Sequence, residues 1–346
     1  MDRPDFLVVG AGFAGSTCAE RLAAAGFSVI VIEKRSHIGG NCYDRVNEAG
    51  VRQQQYGAHI FHTNAPAVFD YLSQFTTWHP YEHRVLSAVG ERLVPFPIVP
   101  ETLEAFGGDL EAARTALMAG YTKKQWGRYA AALDGAVLGR VAPRETNDTR
   151  YFRDRIQMMP DQGFTPLFER MLAHPSIRVW LNYDWFRFSV NYPDIVEQAQ
   201  GVIVTSPIDQ FYEFCYGGLP YRSARFEFVT LRNVSRVLPA PVVNYADAKV
   251  PYTRVAEFTQ ITGQASPHTT LAWEYPTEEG DPYWPVLTEF SRARLEQYRA
   301  LAATQSKVHF CGRLGSFQYL NIDQTVAQAL KLSERLVATA HVKETV

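Results

Sequence analysis

The sequence predicts an α/β protein: a discontinuous Rossmann-like nucleotide-binding domain that carries a helical insert and an antiparallel β-sheet domain. Three observations predict it. Residues 6–15, FLVVGAGFAG, join a short apolar run to a GxGxxG. GVIVTSP at 201–207 and VHFCG at 308–312 are again short apolar runs that end in small residues, as strands returning to one buried sheet would. Between them, RSARFEFVTLRNV (222–234) and TTLAWEYP (269–276) alternate like antiparallel strands. Residues 1–75, 195–215 and 305–346 are therefore assigned to the nucleotide-binding domain and 100–143 to the insert. Residues 76–99, 144–194 and 216–304 are assigned to the antiparallel sheet.

The elements follow in order. Phe6–Val9 reads as a buried parallel strand. Gly10 allows the tight turn out of it, Gly12 lets the backbone approach a pyrophosphate, and Gly15 lets the next helix pack close. That helix, Ser16 to Ala25, aims its N-terminal amides and positive dipole end at the phosphates, and Gly26 ends it. The strand from Ser28 to Ile32 leads into Glu33, placed to accept from ribose hydroxyls, with Lys34 beside it. Gly39, Gly40 and Asn41 then add a second glycine signature. An NAD site has no need of such a doublet. Flavoproteins of the glutathione reductase type use one to pass the backbone under their cofactor, so the pair predicts FAD. Further on, residues 66–75 read as a helix with Pro66 in its first turn, and 78–99 as a hairpin leading to a sheet edge. Residues 101–139 are mostly helical, split at Gly107-Gly108. A helix is expected at Pro166–Ala173, a strand at Ile177–Leu181 and a last helix from Asp323 to Ala338.

Composition narrows the class. At 346 residues the chain can bury a sizeable core. A formal net charge of −2 gives no pull toward nucleic acid or anionic lipid. Cys18, Cys42, Cys215 and Cys311 are scattered without CxxC or metal spacing, so they read as reduced residues of a cytoplasmic protein without a metal site. Neither a cleavable leader nor an apolar stretch long enough to insert in a membrane is visible. Aromatic content of 13%, with 18 Tyr and 6 Trp, points to a pocket that needs both stacking area and hydroxyl donors.

YGAHIFHT (56–63), GYTKKQWG (120–127), SPIDQ (206–210), YRSARFEF (221–228), NYADAKVPYTR (244–254), EYP (274–276) and GRLGSFQY (312–319) occur in this order. Together they resemble the UDP-galactopyranose mutase family, from about residue 6 to about residue 330. The resemblance implies a redox-neutral isomerisation of a nucleotide-linked hexopyranose to its furanose, by default UDP-galactopyranose. It implies FAD that is active when reduced, with NADPH or NADH as external reductant, and a covalent adduct between the sugar and flavin N5. Arg140 matches the family's mobile-loop arginine and Arg254 its second pyrophosphate arginine. Tyr121, Tyr151 and Tyr319 match its phosphate-side tyrosines, Trp126 a residue bordering the nucleotide with helix-core packing as its alternative, and Asn244 one near nucleotide and sugar. His62 falls beside the isoalloxazine. Gly312 and Arg313 fall at the flavin, the helix after them aiming its N-terminus at the pyrimidine end. His59 is counted with the cofactor residues, packing being its alternative.

Three departures bear on the substrate. Trp284 stands where the family has a tyrosine, Asn321 stands where it has an acid with Asp323 two residues on, and the stretch from Phe106 to Gly120 is short. These leave open a modified sugar on dTDP or GDP, and leave a homodimer open as the assembly. Two other classes fit the fold: a flavin amine oxidase or desaturase, and a non-enzymatic binder like the GDP-dissociation inhibitors. The arginines and tyrosines suited to a diphosphate count against the first. The intact glycines, Glu33 and Arg313 count against the second.

Overall fold

A computed structural model describes residues 3–129, 133 and 141–344. Five parallel strands form the central sheet, in the order Ile177–Leu181, Val29–Glu33, Phe6–Val9, Gly201–Val204 and Val308–Phe310. Both returning runs thus join this sheet as the sequence predicts, Gly201–Val204 beside Phe6–Val9 and Val308–Phe310 beyond it. Ile177–Leu181 corrects one expectation: read with the antiparallel part of the chain, it pairs in parallel with Val29–Glu33. It is an edge strand and only partly covered, with Ile177 alone of its five residues fully buried, so it lacks the uniformly apolar look of its inner neighbours.

The helix Phe13–Ala24 and the long helix Ile322–Glu344 cover one face of this sheet. Ala14, Cys18 and Leu22 meet Ala329, Leu332 and Leu336 there. Each fully buried Leu or Ile in such a contact contributes about 1.5–3 kcal/mol relative to exposure. Phe188, from the helix Trp185–Asn191, covers the other face against Leu7, Val9, Ile30 and Ile32.

The second layer is a seven-stranded sheet. Its order is Trp284–Pro285, Tyr221–Leu231, Thr269–Thr277, Arg254–Glu257, Val242–Tyr245, Val85–Val89 and Arg92–Phe96. All pairs are antiparallel except Val242–Tyr245 with Val85–Val89, and the expected hairpin does end the sheet. Register places Phe226, Glu274, Arg254, Asn244 and Ser87 opposite one another across five adjacent strands. Residues in one such row share a face of the sheet, and this face becomes a cavity wall. A small sheet of Phe61–Thr63, Ile156–Pro160 and Trp78–Pro80 closes one side.

The insert is helical at Pro100–Glu104, Leu110–Arg114 and Gly120–Trp126, with a π-helical turn at Thr115–Ala119. Gly107 and Gly108 separate the first two helices and adopt positive φ, and the Asp109 carboxylate caps the second by accepting from the amides of Glu111 and Ala112. Among the described residues no helix is long and apolar enough to cross a membrane, and no three His, Cys, Asp or Glu side chains group to hold a metal.

Candidate functional site

Two cavities open side by side. The first encloses about 1320 Å³, counting its mouth, and lies along the glycine-rich turn. Gly10 has φ 105°, and a Cβ there would stand 2.1 Å from the Thr205 hydroxyl oxygen. A Cβ on Gly15 would stand 1.9 Å from the carbonyl oxygen of Gly10. Only glycine lets the helix start this close to the strand. Gly12 and Gly40 face each other so closely that a Cβ on Gly40 would lie 3.0 Å from the Gly12 Cα. The result is a strip of bare backbone beneath the N-terminus of the helix Phe13–Ala24, which no side chain caps. Its first amides are left to a phosphate.

Glu33 lines this cavity and is buried. Its two carboxylate oxygens accept from the amides of Ala11 (3.0 Å) and Arg35 (2.9 Å), which fixes the glycine turn. Each oxygen keeps a second lone pair for a ribose hydroxyl. Lys34 stands at the rim with its Nζ 2.5 Å from Asp281, and Asn41 accepts from Arg35 at 3.0 Å. Gly312 donates its amide to Gln328 at 2.7 Å.

The second cavity encloses about 2030 Å³, counting its mouth. Its wall is the strand row described above. Arg254 and Glu274 form a two-pronged ion pair at 2.8 and 3.0 Å, with Glu274 almost fully buried. Burial works against the Arg254 charge, but Glu274 beside it outweighs burial and holds the guanidinium well above its usual range. Tyr121, Tyr151 and Tyr319 line the same cavity, as do Asn244 and Trp284. Burial pushes the Tyr121 hydroxyl up, so it stays a donor, while Arg254 pulls the other way. Arg254, three tyrosine hydroxyls and an amide thus converge on one space.

The cavities meet. His59, Tyr283, Arg313, Asn321 and Ile322 line both. The Arg313 guanidinium donates to the Leu320 carbonyl at 2.6 and 3.0 Å and lies 5.2 Å over the Tyr319 ring. His59 Nδ1 lies 2.9 Å from the Gly57 carbonyl. Burial lowers its pKa to about 4. The ring is therefore neutral, its proton on Nδ1, and Nε2 is an acceptor at the junction. Asn321, Ile322 and Thr325 bring the N-terminus of the long helix, with its positive dipole end, to the first cavity.

Several residues sit where the sequence did not put them. His62, expected beside the cofactor ring, lines only the second cavity; its Nδ1 is 2.8 Å from Asp154 and its ring stacks on Phe152 at 3.6 Å. His59 holds the place at the junction. Trp126, expected at the nucleotide, is buried behind the wall, packed with Tyr283, Trp284 and Val286 and set edge-on to Tyr319. Arg140 lies outside the described residues.

Other site residues are new. Glu274 sits in the quoted EYP run, and its signal is the period-2 register opposite Arg254. Arg144 and Arg153 line the second cavity with Asp154 and His83. Arg153 is exposed, with no hydrogen-bond or ion-pair partner among the described residues. The Arg144 Nε is buried without a partner.

A family model described as UDP-galactopyranose mutase matches residues 116–319, and one for an NAD(P)-binding Rossmann-like domain matches residues 8–75. A probable UDP-galactopyranose mutase of Klebsiella pneumoniae is 31% identical, over 98% of this chain and 96% of its own. A dTDP-fucopyranose mutase of Escherichia coli is 29% identical, over 95% and 97%. In fold, the chain matches a crystal structure of reduced UDP-galactopyranose mutase with a TM-score of 0.77 at 14% identity, covering 97% of this chain and 96% of that one.

Proposed function

The chain belongs to the UDP-galactopyranose mutase family, and from that premise we propose that its two joined cavities hold FAD and a nucleoside-diphosphate hexose, whose pyranose and furanose forms it interconverts. The observation that carries this reading is the shared wall: His59, Tyr283, Arg313, Asn321 and Ile322 face both spaces. A sugar held by its diphosphate in the second cavity therefore reaches the group held in the first.

The first cavity fits FAD on its own geometry. Gly12 and Gly40 leave no side chain over the backbone strip, and the uncapped helix start faces it. A fixed guanidinium (Arg313) and a helix N-terminus lie at the junction of the two cavities, where a reduced, anionic ring would need them. Reduced FAD, when bound, supplies N5 as the nucleophile for covalent catalysis at the anomeric carbon; NADPH or NADH would supply the electrons.

The residues of the chain do the rest. Arg254, kept charged by Glu274, and the hydroxyls of Tyr121, Tyr151 and Tyr319 grip the diphosphate and stabilise the charge it gains on leaving. Arg140 is assigned a second cation there. Neutral His59 accepts a hydrogen bond from a sugar hydroxyl at Nε2. Asp154 holds the His62 ring, and Phe152 and Trp284 keep water from the sugar side.

UDP-galactopyranose is the default substrate. Trp284 and Asn321, together with a relative that is a dTDP-fucopyranose mutase, support a dTDP- or GDP-linked hexose as the alternative. The FAD-loaded protein, reduced anaerobically with dithionite, is incubated with UDP-, dTDP- and GDP-hexopyranoses, and the products are separated by chromatography. Furanose from one of these is expected. No conversion across the panel, or net flavin reduction by substrate with peroxide release in air, overturns the reading.

A further inference from the structure

The Nζ of Lys124 donates to four backbone carbonyls at once: Tyr245 at 2.6 Å, Tyr252 at 2.8 Å, and Asp247 and Val250 at 3.0 Å each. An ammonium carries three protons, so at least one is shared between two acceptors. The four oxygens belong to one turn, the connection between the strands Val242–Tyr245 and Arg254–Glu257. Carbonyl dipoles aimed at a common point repel one another, and only a cation at that point makes the arrangement favourable.

The turn and the helix are pressed together. A Cβ on Gly120 would stand 2.0 Å from the Ala246 carbonyl oxygen, so the helix Gly120–Trp126 starts in contact with the turn. Its far end is held by a second cation: Arg222 donates to the carbonyls of Lys124 (2.9 Å) and Gln125 (3.0 Å). These are terminal carbonyls without helical partners, the groups a cation stabilises. Tyr121 and Lys124, three residues apart, share a helix face. Asn244 and Arg254 are cross-strand neighbours close to the two ends of the turn. One ammonium thus ties the helix bearing Tyr121 to the strands bearing Asn244 and Arg254.

We infer that Lys124 is a positioning residue, whose ammonium fastens the helix Gly120–Trp126 to the 245–252 turn and so fixes Tyr121 against the Asn244–Arg254 wall that binds the nucleotide. The inference rests on the reading that the second cavity takes a nucleotide sugar. Lys124 itself lines neither cavity.

The test uses the full-length, FAD-loaded protein and UDP as probe, titrated calorimetrically. Lys124→Ala is expected to raise the Kd for UDP by about tenfold, with KM rising in step and kcat at saturation changing by less than about threefold. Flavin content stays at the wild-type level. Ethylammonium or K⁺ in the buffer is expected to refill the carbonyl cage of this variant and restore UDP affinity, with no effect on wild type. A general loss of packing would not respond to a small cation. UDP affinity within twofold of wild type, or no rescue, overturns the inference. If Lys124→Ala does not fold, Lys124→Gln, which is one bond shorter and uncharged but keeps two amide protons, takes its place and is expected to bind UDP more weakly than wild type. Unchanged affinity, or failure of both variants to fold, overturns the positioning role. Wild-type protein that does not bind UDP would refute the reading of the cavity instead. The clamp is then read from thermal unfolding, where ethylammonium should raise the Tm of Lys124→Ala but not of wild type, and no rise overturns it.

Discussion

Arg254→Ala should do two separable things, and the ion pair with Glu274 sets the size of each. The first is stability. Glu274 is 3% exposed and accepts from Arg254 with both oxygens. Removing Arg254 strands a buried carboxylate, a loss of about 3–5 kcal/mol for a broken buried pair. The second is catalysis. A two-pronged charge-assisted contact to the diphosphate contributes about 1.5–3 kcal/mol. The stranded carboxylate, about 6 Å from a phosphate on the far edge of the lost guanidinium, adds about 3 kcal/mol of repulsion at an effective dielectric of 20. Together these predict a fall in kcat/KM of about 10³–10⁴. The double variant Arg254→Ala/Glu274→Gln removes the stranded charge. It should regain most of the stability and about a hundredfold in kcat/KM, but not the direct contact. The assay is steady-state turnover of the reduced enzyme, with calorimetric unfolding of both variants at pH 6 and 8. If the single variant keeps kcat/KM within tenfold, Arg254 is not on the diphosphate. If the double variant is no more stable and no faster than the single, Glu274 is not the partner that charges it.

Gly15→Ala should yield protein without flavin, destabilised by about 1–3 kcal/mol, because its Cβ would overlap the Gly10 carbonyl oxygen and force the helix off the strand; a yellow, fully loaded variant would count against the close-approach argument. Asn321→Asp should shift relative rates toward UDP-galactose in the substrate panel, and unchanged relative rates would remove Asn321 from specificity. His59 and His83 are held neutral by burial, with pKa values lowered to about 4 and about 3. The unfolded chain therefore takes up protons on both before the folded one, and stability is lost as pH falls from about 6.5 through about 4 for His59 and about 3 for His83. His83→Gln should flatten that acid limb in unfolding titrations; an unchanged limb would show that His83 does not drive it.

The cofactor cavity was legible in the sequence because its chemistry is local. Gly10, Gly12, Gly15, Glu33, Gly39 and Gly40 occupy one strand–turn–helix–strand unit, and their spacing alone fixes who faces whom. The substrate cavity is assembled differently. Glu274 meets Arg254 only through register between two strands, and a slip of one residue would turn either side chain to the opposite face. Ile177–Leu181 was misplaced because an edge strand, half-covered, shows a weaker pattern than a central one. Trp126 is an instructive case. Five residues on a helix separate Tyr121 and Trp126 by about 140° around the axis. If Tyr121 faces the cavity, Trp126 must face away, and the structure has it in the packing layer behind. Spacing alone therefore favours helix-core packing for Trp126.

The same contrast bears on how specificity can change in this chain. The cofactor site proposed in the first cavity relies largely on close backbone approach at Gly10, Gly12, Gly15 and Gly40. The second cavity, proposed for the sugar and nucleotide, is lined by Trp284, Asn321, Arg153 and Tyr121, which come from separate segments. A change at Arg153, exposed and without a partner among the described residues, strands no buried charge and leaves the first cavity intact. Arg153→Ala should therefore lower affinity for an anionic ligand while flavin content and Tm stay at wild-type values. Arg254→Ala cannot be so clean, because Glu274 ties binding to folding there. Titrating UDP into both variants, with flavin content and Tm measured on each, separates the two kinds of arginine. Loss of flavin or of more than about 1 kcal/mol of stability in Arg153→Ala would show that the two cavities are coupled through it after all.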